Sequence, residues 1–219
     1  MIDLHTHTLL SDGVLLPSEL VRRAIDKGYR AIALADHVDA SNIDFVVPRL
    51  AKVAKQLNKV WDILVIPAAE LTHIPLEHIE GLTKRARRFG AKLVLMHGET
   101  KAEPVLKGTN KQALISNVDI LAHPGRLTRD ELKLAIKNNV YLEITTRMSH
   151  KKTNEHLVKI TSGTQAKLIL NTDTHSPRDL ITKEKAQKFL LSLGLNRQER
   201  EKIFLNSEKL INKLQRKKS

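Results

Sequence analysis

Short, mostly apolar runs recur along the chain and alternate with longer amphipathic stretches. The runs are residues 2–4 (IDL), 31–35 (AIALA), 63–69 (ILVIPAA), 92–96 (KLVLM), 120–122 (ILA), 141–144 (YLEI) and 167–170 (KLIL). Brief apolar runs bounded by turn residues predict strands buried on both faces, the signature of a parallel sheet. Between them, residues 17–27 (PSELVRRAIDK) and 128–138 (TRDELKLAIKN) carry apolar positions at helical spacing, the first opened by Pro, Ser and Glu, the second by a Thr cap. Gly28, Gly90 and Gly163 stand where helix C-termini are expected. Strand, helix, strand alternation predicts right-handed crossovers, with the sheet either doubly wound or closed into a barrel. In both architectures function gathers at the carboxyl ends of the strands.

Composition narrows this picture. A chain of 219 residues with 41% hydrophobic content can bury a full core, and its length is compatible with one α/β barrel or with two small domains. No internal repeat or low-complexity linker interrupts it, so a single domain over 1–219 is expected, with a core over 1–180 and a helical C-terminal segment over 181–219. The tail NRQEREKIFLNSEKLINKLQRKKS (196–219) is highly charged, with apolar Ile203, Leu210, Ile211 and Leu214, and reads as a helical appendage ending in a solvated LQRKKS. No run approaches the 18 or so apolar residues of a membrane span, and no basic segment followed by a long apolar one opens the chain. A cytoplasmic location and no membrane partner are therefore expected.

The chain has no cysteine, which excludes disulfides and thiolate ligands. Any metal must be held by imidazole and carboxylate, a donor set that suits Zn, Mn or Fe. The 37 Lys and Arg against 24 Asp and Glu leave a formal charge of +13. That excess keeps a protein soluble and attracts anions, among which nucleic acid and small phosphate esters are the candidates.

The histidines show where the chemistry gathers. The opening MIDLHTHTLLSDG contains His5-x-His7, but 10 His in 219 residues produce about 0.45 such pairs by chance, so the pair alone says little. Its weight comes from position. The predicted strands end into His5 and His7, Asp36 and His37, Glu70, His97, His123, and Asp173 and His175. Six of the ten histidines thus lie at strand ends, where indifferent placement would put about one. His5 and His7, at i and i+2 in extended backbone, face the same way. Buried together without a cation, these imidazoles and carboxylates would form a large unsatisfied polar cluster.

The ordered set H5-x-H7 with S11-D12-G13, A35-D36-H37, E70, H97-G-E99, A122-H123-P124-G125 and N171-T172-D173-T174-H175 resembles the PHP (polymerase and histidinol phosphatase) domain family over residues 1 to about 180. The resemblance implies a distorted seven-stranded (β/α) barrel of TIM-like form, holding two or three divalent ions. His5, His7 and Asp173 would hold the first, Glu70 would bridge to a second held by His97 and His123, and Asp12, His37 and His175 would hold the third. Glu70, Asp173 and His175 are the expected catalytic residues. The implied reaction is hydrolysis of a phosphate ester by a metal-bridged hydroxide, with a phosphomonoester such as histidinol phosphate or another small phosphorylated metabolite as substrate. Related enzymes often carry Asn after the LEI segment, where this chain has Thr145, a departure that bears on the substrate.

Arg126, Arg147, His150 and Arg178 lie just beyond strand ends and are candidates for holding the substrate phosphate. Glu99 and Glu143 are candidates to orient imidazoles, whereas His73, His78 and His156 match no strand end and read as surface or local structural residues. Two other functions fit less well. A phosphodiesterase or exonuclease acting on nucleic acid suits the positive charge but not the 3% aromatic content, which leaves few rings to stack bases. A non-catalytic RNA-binding protein, like the related barrel in archaeal ribonuclease P, would have a degraded ligand set, and here it is intact.

Overall fold

A computed structural model describes residues 1–216; Lys217, Lys218 and Ser219, and with them the end of the LQRKKS tail, lie outside the described residues. Eight parallel strands form seven staves of a barrel. They are β1 (Ile2–Thr6), β2 (Ala31–Leu34), β3 (His37–Val38), β4 (Leu64–Leu71), β5 (Leu93–His97), β6 (Ile120–Ala122), β7 (Tyr141–Thr145) and β8 (Lys167–Asn171). The order is β1-β2-β4-β5-β6-β7-β8, and the two-residue β3 continues the stave of β2. The eight-residue β4 spans both pieces, pairing with β2 through Leu64–Pro67 and with β3 through Glu70 and Leu71. The seam between first and last strands closes at Thr6 and Thr174, where the His7 amide donates to the Thr174 carbonyl at 2.8 Å. The predicted distorted (β/α)7 barrel is the observed fold.

Eight helices follow in the connections and beyond: α1 (Pro17–Asp26), α2 (Ile43–Leu57), α3 (Ile79–Arg88), α4 (Thr109–Ile115), α5 (Arg129–Lys137), α6 (Lys151–Thr161), α7 (Lys183–Ser192) and α8 (Arg197–Arg216). Their limits follow local chemistry. Pro17 opens α1, where its missing N–H costs nothing. Thr128 caps α5 in a capping box: its Oγ1 accepts from the Glu131 amide, and the Glu131 carboxylate accepts from the Thr128 amide at 2.7 Å. The glycines predicted at the ends of α1, α3 and α6 sit just past them.

Period-two alternation divides the apolar residues into two clusters. One fills the space between strands and helices. The other lines the barrel interior and includes Ile2, Leu4, Ala68, Leu93, Leu95, Tyr141 and Ile169. The C-terminal helix belongs to this second cluster. Leu210, Ile211 and Leu214 of α8 close the end of the barrel opposite the strand carboxyl ends, and Asn206 Nδ2 donates to the Leu168 carbonyl at 2.9 Å. The expected appendage is therefore the floor of the barrel. Among the described residues no helix is long and apolar enough to cross a membrane.

Candidate metal centre

The same alternation that places Leu95 and Ala68 in the interior brings His97 and Glu70, two residues further on, to the inner face at the opposite, open end. Glu143 stands likewise above Tyr141 on β7. Strand β1 needs an extra device. Ile2 and Leu4 face inward, so strict alternation would turn His5 outward, but the register against β2 slips between Asp3 and Thr6, and His5 points in. His123 (φ 27°) and Asp173 (φ 55°) reach the mouth from left-handed backbone just past β6 and β8. Non-glycine residues pay for that conformation, and such strain collects at functional sites.

Small residues make room for these turns. A Cβ at Gly13 would overlap the His7 carbonyl, and one at Gly125 (φ 67°) would overlap the Glu99 carbonyl. Asp36, at the break between β2 and β3, gathers the S-D-G loop: it accepts from the Thr8 amide at 2.9 Å and from Ser11 Oγ at 2.9 Å.

All nine side chains expected to bind metal meet at the mouth. Their donor atoms form four overlapping groups, each with members within 4.8 Å of one another: His5, His7 and Glu70; His5, His123 and Asp173; Glu70, His97 and His123; and His7, Asp12, His37 and His175. No other residue enters these groups. Glu70 is central, with Oε2 lying 3.1 Å from His5 Nε2 and 2.9 Å from His37 Nδ1, and Oε1 3.5 Å from His123 Nε2. His7 differs from the expected partition by serving two groups, with Nε2 3.1 Å from Asp173 and Nδ1 3.8 Å from Asp12.

The donors fit divalent cations on the evidence of their own unmet needs. Among the described residues, His5 Nε2, His7 Nδ1, both Glu70 oxygens, His97 Nδ1 and His123 Nδ1 are buried without an aligned hydrogen bond, the Glu70 oxygens despite the imidazoles beside them. Each such atom costs about 1–3 kcal/mol. A cation with N or O ligands at roughly 2.0–2.2 Å relieves that cost where donors converge this closely.

The electrostatics favour ionised carboxylates. Burial opposes charge on Glu70, but His5 and His37 outweigh it and hold its pKa well below the usual carboxylate range. Asp173 is held low against burial by His5 and a hydrogen bond from His7. Burial also opposes charge on His5 and His37, yet Glu143 and Glu70 push His5 well up, and Glu70 and Asp12 raise His37 to about 9. For His7 burial prevails and lowers its pKa to about 4, despite the Asp173 bond.

Residues behind the donors hold them in place. The Glu143 carboxylate accepts from His5 Nδ1 at 2.8 Å and from Asn171 Nδ2 at 2.9 Å, as expected of an orienting group. Glu99 does something else. Its Oε1 accepts from the Gly108 and Asn110 amides at 2.9 and 3.0 Å, so it fixes the loop leading into α4 and touches no imidazole.

Two residues outside the expected set stand beside His97: Glu103 Oε2 is 3.3 Å from both His97 Nε2 and His73 Nε2. His73 is thus part of the mouth. Glu103 escaped sequence reading because it lies in an aperiodic loop. His156 is structural, its Nε2 bonding the Leu127 carbonyl at 2.9 Å, and His78 is exposed at the start of α3.

The candidate substrate residues divide. Arg147 hangs over the cluster, its Nη1 2.8 Å from His175 Nδ1 and 3.5 Å from Asp173 Oδ2. His150 is buried, stacked on His123 at 4.8 Å and bonded through Nδ1 to Thr100 Oγ1 at 3.0 Å. Both line the mouth, a cavity of about 580 Å³. Arg178 lines an adjoining cavity, and exposed Arg126 lines neither.

A closed α/β barrel with this donor set at its mouth defines a class, and the sequence matches it: residues 3–194 match the PHP domain, and the chain belongs to that family. It is 44% identical over 209 residues to an uncharacterized protein of Methanocaldococcus jannaschii, covering 94% of this chain and 96% of that one. Its fold is similar to a chain of archaeal ribonuclease P with mature tRNA (TM-score 0.76, 14% identity, 98% of this chain and 91% of that one). It is also similar to histidinol phosphate phosphatase from Lactococcus lactis subsp. lactis, complexed with zinc, L-histidinol and phosphate (TM-score 0.59, 16% identity, 89% and 94%).

Proposed function

We propose that this protein is a metal-dependent phosphoesterase that hydrolyses a small phosphomonoester, of which histidinol phosphate is one example, at the barrel mouth. The observation that carries this reading is the convergence of nine imidazole and carboxylate donors, five of which (His5, His7, Glu70, His97 and His123) have buried atoms without a hydrogen bond. His5, His7 and Asp173 would hold one ion, Glu70 would link it to a second at His97 and His123, and Asp12, His37 and His175 would hold a third, with His7 able to contribute to it. Zn, Mn and Fe suit these donors. Such ions, when bound, activate water for attack on phosphorus and neutralise phosphoryl charge. Arg147 would bind the phosphate through its guanidinium. His175, at the solvent edge of the cluster and 2.8 Å from Arg147 Nη1, would hold that guanidinium toward the phosphate. His150, on the wall, would bound the substrate.

The likeness to a histidinol phosphatase bound to zinc and phosphate supports this reading. The likeness to ribonuclease P raises RNA binding without catalysis; an intact donor set in this chain supports catalysis instead. Elemental analysis of the purified protein, beside turnover of p-nitrophenyl phosphate, bis-p-nitrophenyl phosphate and histidinol phosphate with Mn or Zn, tests it. Bound metal and monoester hydrolysis are expected, with both falling in His123→Ala. A protein that binds no metal and hydrolyses nothing when metal is supplied refutes the proposal, and turnover of the diester alone replaces it with the phosphodiesterase reading.

A further inference from the structure

Beside the metal mouth lies a second cavity of about 470 Å³, within the range of roughly 300–1,000 Å³ typical of ligand sites. Arg147 and Ser149 belong to the walls of both cavities, so the two adjoin at these residues. The second is lined by Arg178 from the loop after β8 and by Lys185 from α7, with apolar surface from Met148 and Phe189.

The charge balance of this cavity is one-sided. Among the described residues, the side chains of Arg178 and Lys185 have no hydrogen-bond or ion-pair partner. The one carboxylate in the wall, Asp179, is already engaged: its Oδ2 accepts from the His175 amide at 3.0 Å, the Ser176 amide at 2.7 Å and Ser176 Oγ at 3.0 Å. Asp179 shapes the loop that presents Arg178, and its single negative charge against Arg147, Arg178 and Lys185 leaves the wall net positive. Two free cations at the wall of a small cavity attract anions and repel a cationic group. They line this cavity and not the metal mouth, so they would meet a part of the substrate away from the scissile phosphate.

Resting on the phosphomonoesterase reading, we infer that the substrate carries a second anionic group, a phosphate or a carboxylate, that binds at Arg178 and Lys185 while the scissile phosphate sits at Arg147 and the metal donors. The apolar surface of Met148 and Phe189 would support the carbon skeleton between the two. This narrows the substrate class. Histidinol phosphate, whose leaving group is an ammonium-bearing alcohol, places positive charge where the cavity is already positive. The preferred substrate is then a bisphosphate or a phosphorylated acid.

Four probes separate the cases: fructose 1,6-bisphosphate for a second phosphate, 3-phosphoglycerate for a second carboxylate, glycerol 3-phosphate for neither, and histidinol phosphate for the opposite charge. One of the two bis-anionic probes is expected to show kcat/KM at least about tenfold above glycerol 3-phosphate, with histidinol phosphate the poorest. Arg178→Gln and Lys185→Gln should each raise KM for that probe about tenfold, with kcat little changed and glycerol 3-phosphate turnover unaltered.

Equal turnover of all four probes, or equal loss for all four in the variants, overturns the inference. Calorimetric binding of fructose 1,6-bisphosphate and of 3-phosphoglycerate to the chelator-treated protein reads the cavity without any reaction. Weakening of either by about tenfold in Arg178→Gln supports the anionic subsite even if no probe is hydrolysed, which would count against the phosphoesterase reading alone. No weakening of either removes the subsite.

Discussion

Replacing Glu143 probes how far the residues behind the donors set the properties of the centre. Its carboxylate is fully buried, and Oε2 accepts a hydrogen bond from His5 Nδ1 at 2.8 Å, leaving Nε2 to face Glu70 and Asp173. In Glu143→Gln the amide oxygen can take over both contacts of Oε2, with His5 and with Asn171, so the geometry survives and only the charge is lost. A hydrogen bond to a charged group contributes about 1.5–3 kcal/mol and a neutral one about 1. The difference of about 0.5–2 kcal/mol corresponds to roughly a 2- to 30-fold loss of metal affinity, which overlaps the 10- to 100-fold effects of partners that orient metal-bound imidazoles.

Glu143→Leu goes further, because it strands both the His5 and the Asn171 donors in the interior. A loss of about 100-fold and a lower melting temperature are expected. Competition titration against a chromophoric zinc chelator reads the affinities, and circular dichroism checks that each variant is folded. Affinities within twofold of the parent for both variants would refute the idea that Glu143 acts on the centre through His5.

Removing metal by dialysis against EDTA should lower the melting temperature by roughly 8–16 °C per ion site saturated at 1,000 times its Kd, since such binding stabilises by about 4 kcal/mol; an unchanged scan, with metal shown to have been present, would contradict a structural share for the ions. Leu210→Ala should cost about 2–5 kcal/mol in urea denaturation, because this fully buried side chain closes the barrel floor. A midpoint equal to the parent's would mean that α8 does not pack there. Gly125→Ala should cost about 2 kcal/mol or more and reduce metal content, since its φ of 67° and the nearby Glu99 carbonyl leave no room for a methyl group two residues after His123.

The barrel was legible because its staves are short apolar runs with few competing readings, and the donors because so many end such runs. His97 and Glu70 follow from plain alternation. His5 does not: the slip between Asp3 and Thr6 that turns it inward is a property of the β1 and β2 pairing, which no local pattern encodes. The loops were read less well. Glu99 and Glu103 both follow β5, and only the folded course of that loop decides that the first caps backbone amides while the second approaches His97. The polar surface of α8 likewise concealed its role, since Leu210, Ile211 and Leu214 make a narrow stripe on a charged helix. Arg126 and Arg178 occupy equivalent places after strand ends in the sequence, and the direction of their loops separates them.

The seam of the barrel gives the metal donors one more consequence. His7, just past the first strand, meets Asp173, 166 residues away, and among the described residues the backbone pairing that joins the β1 end of the barrel to the β8 end is confined to the contact of Thr6 and His7 with Thr174. A cation held jointly by His5, His7 and Asp173 would be a crosslink between the two ends of the barrel, closing a ring of nearly the whole fold. Rings of that size remove much entropy from an unfolded chain, on the order of 5 kcal/mol in the case of disulfides. A protein without cysteine would then have in its metal centre a fastening as well as a reaction site, and the last stave must emerge from the ribosome before that fastening can close.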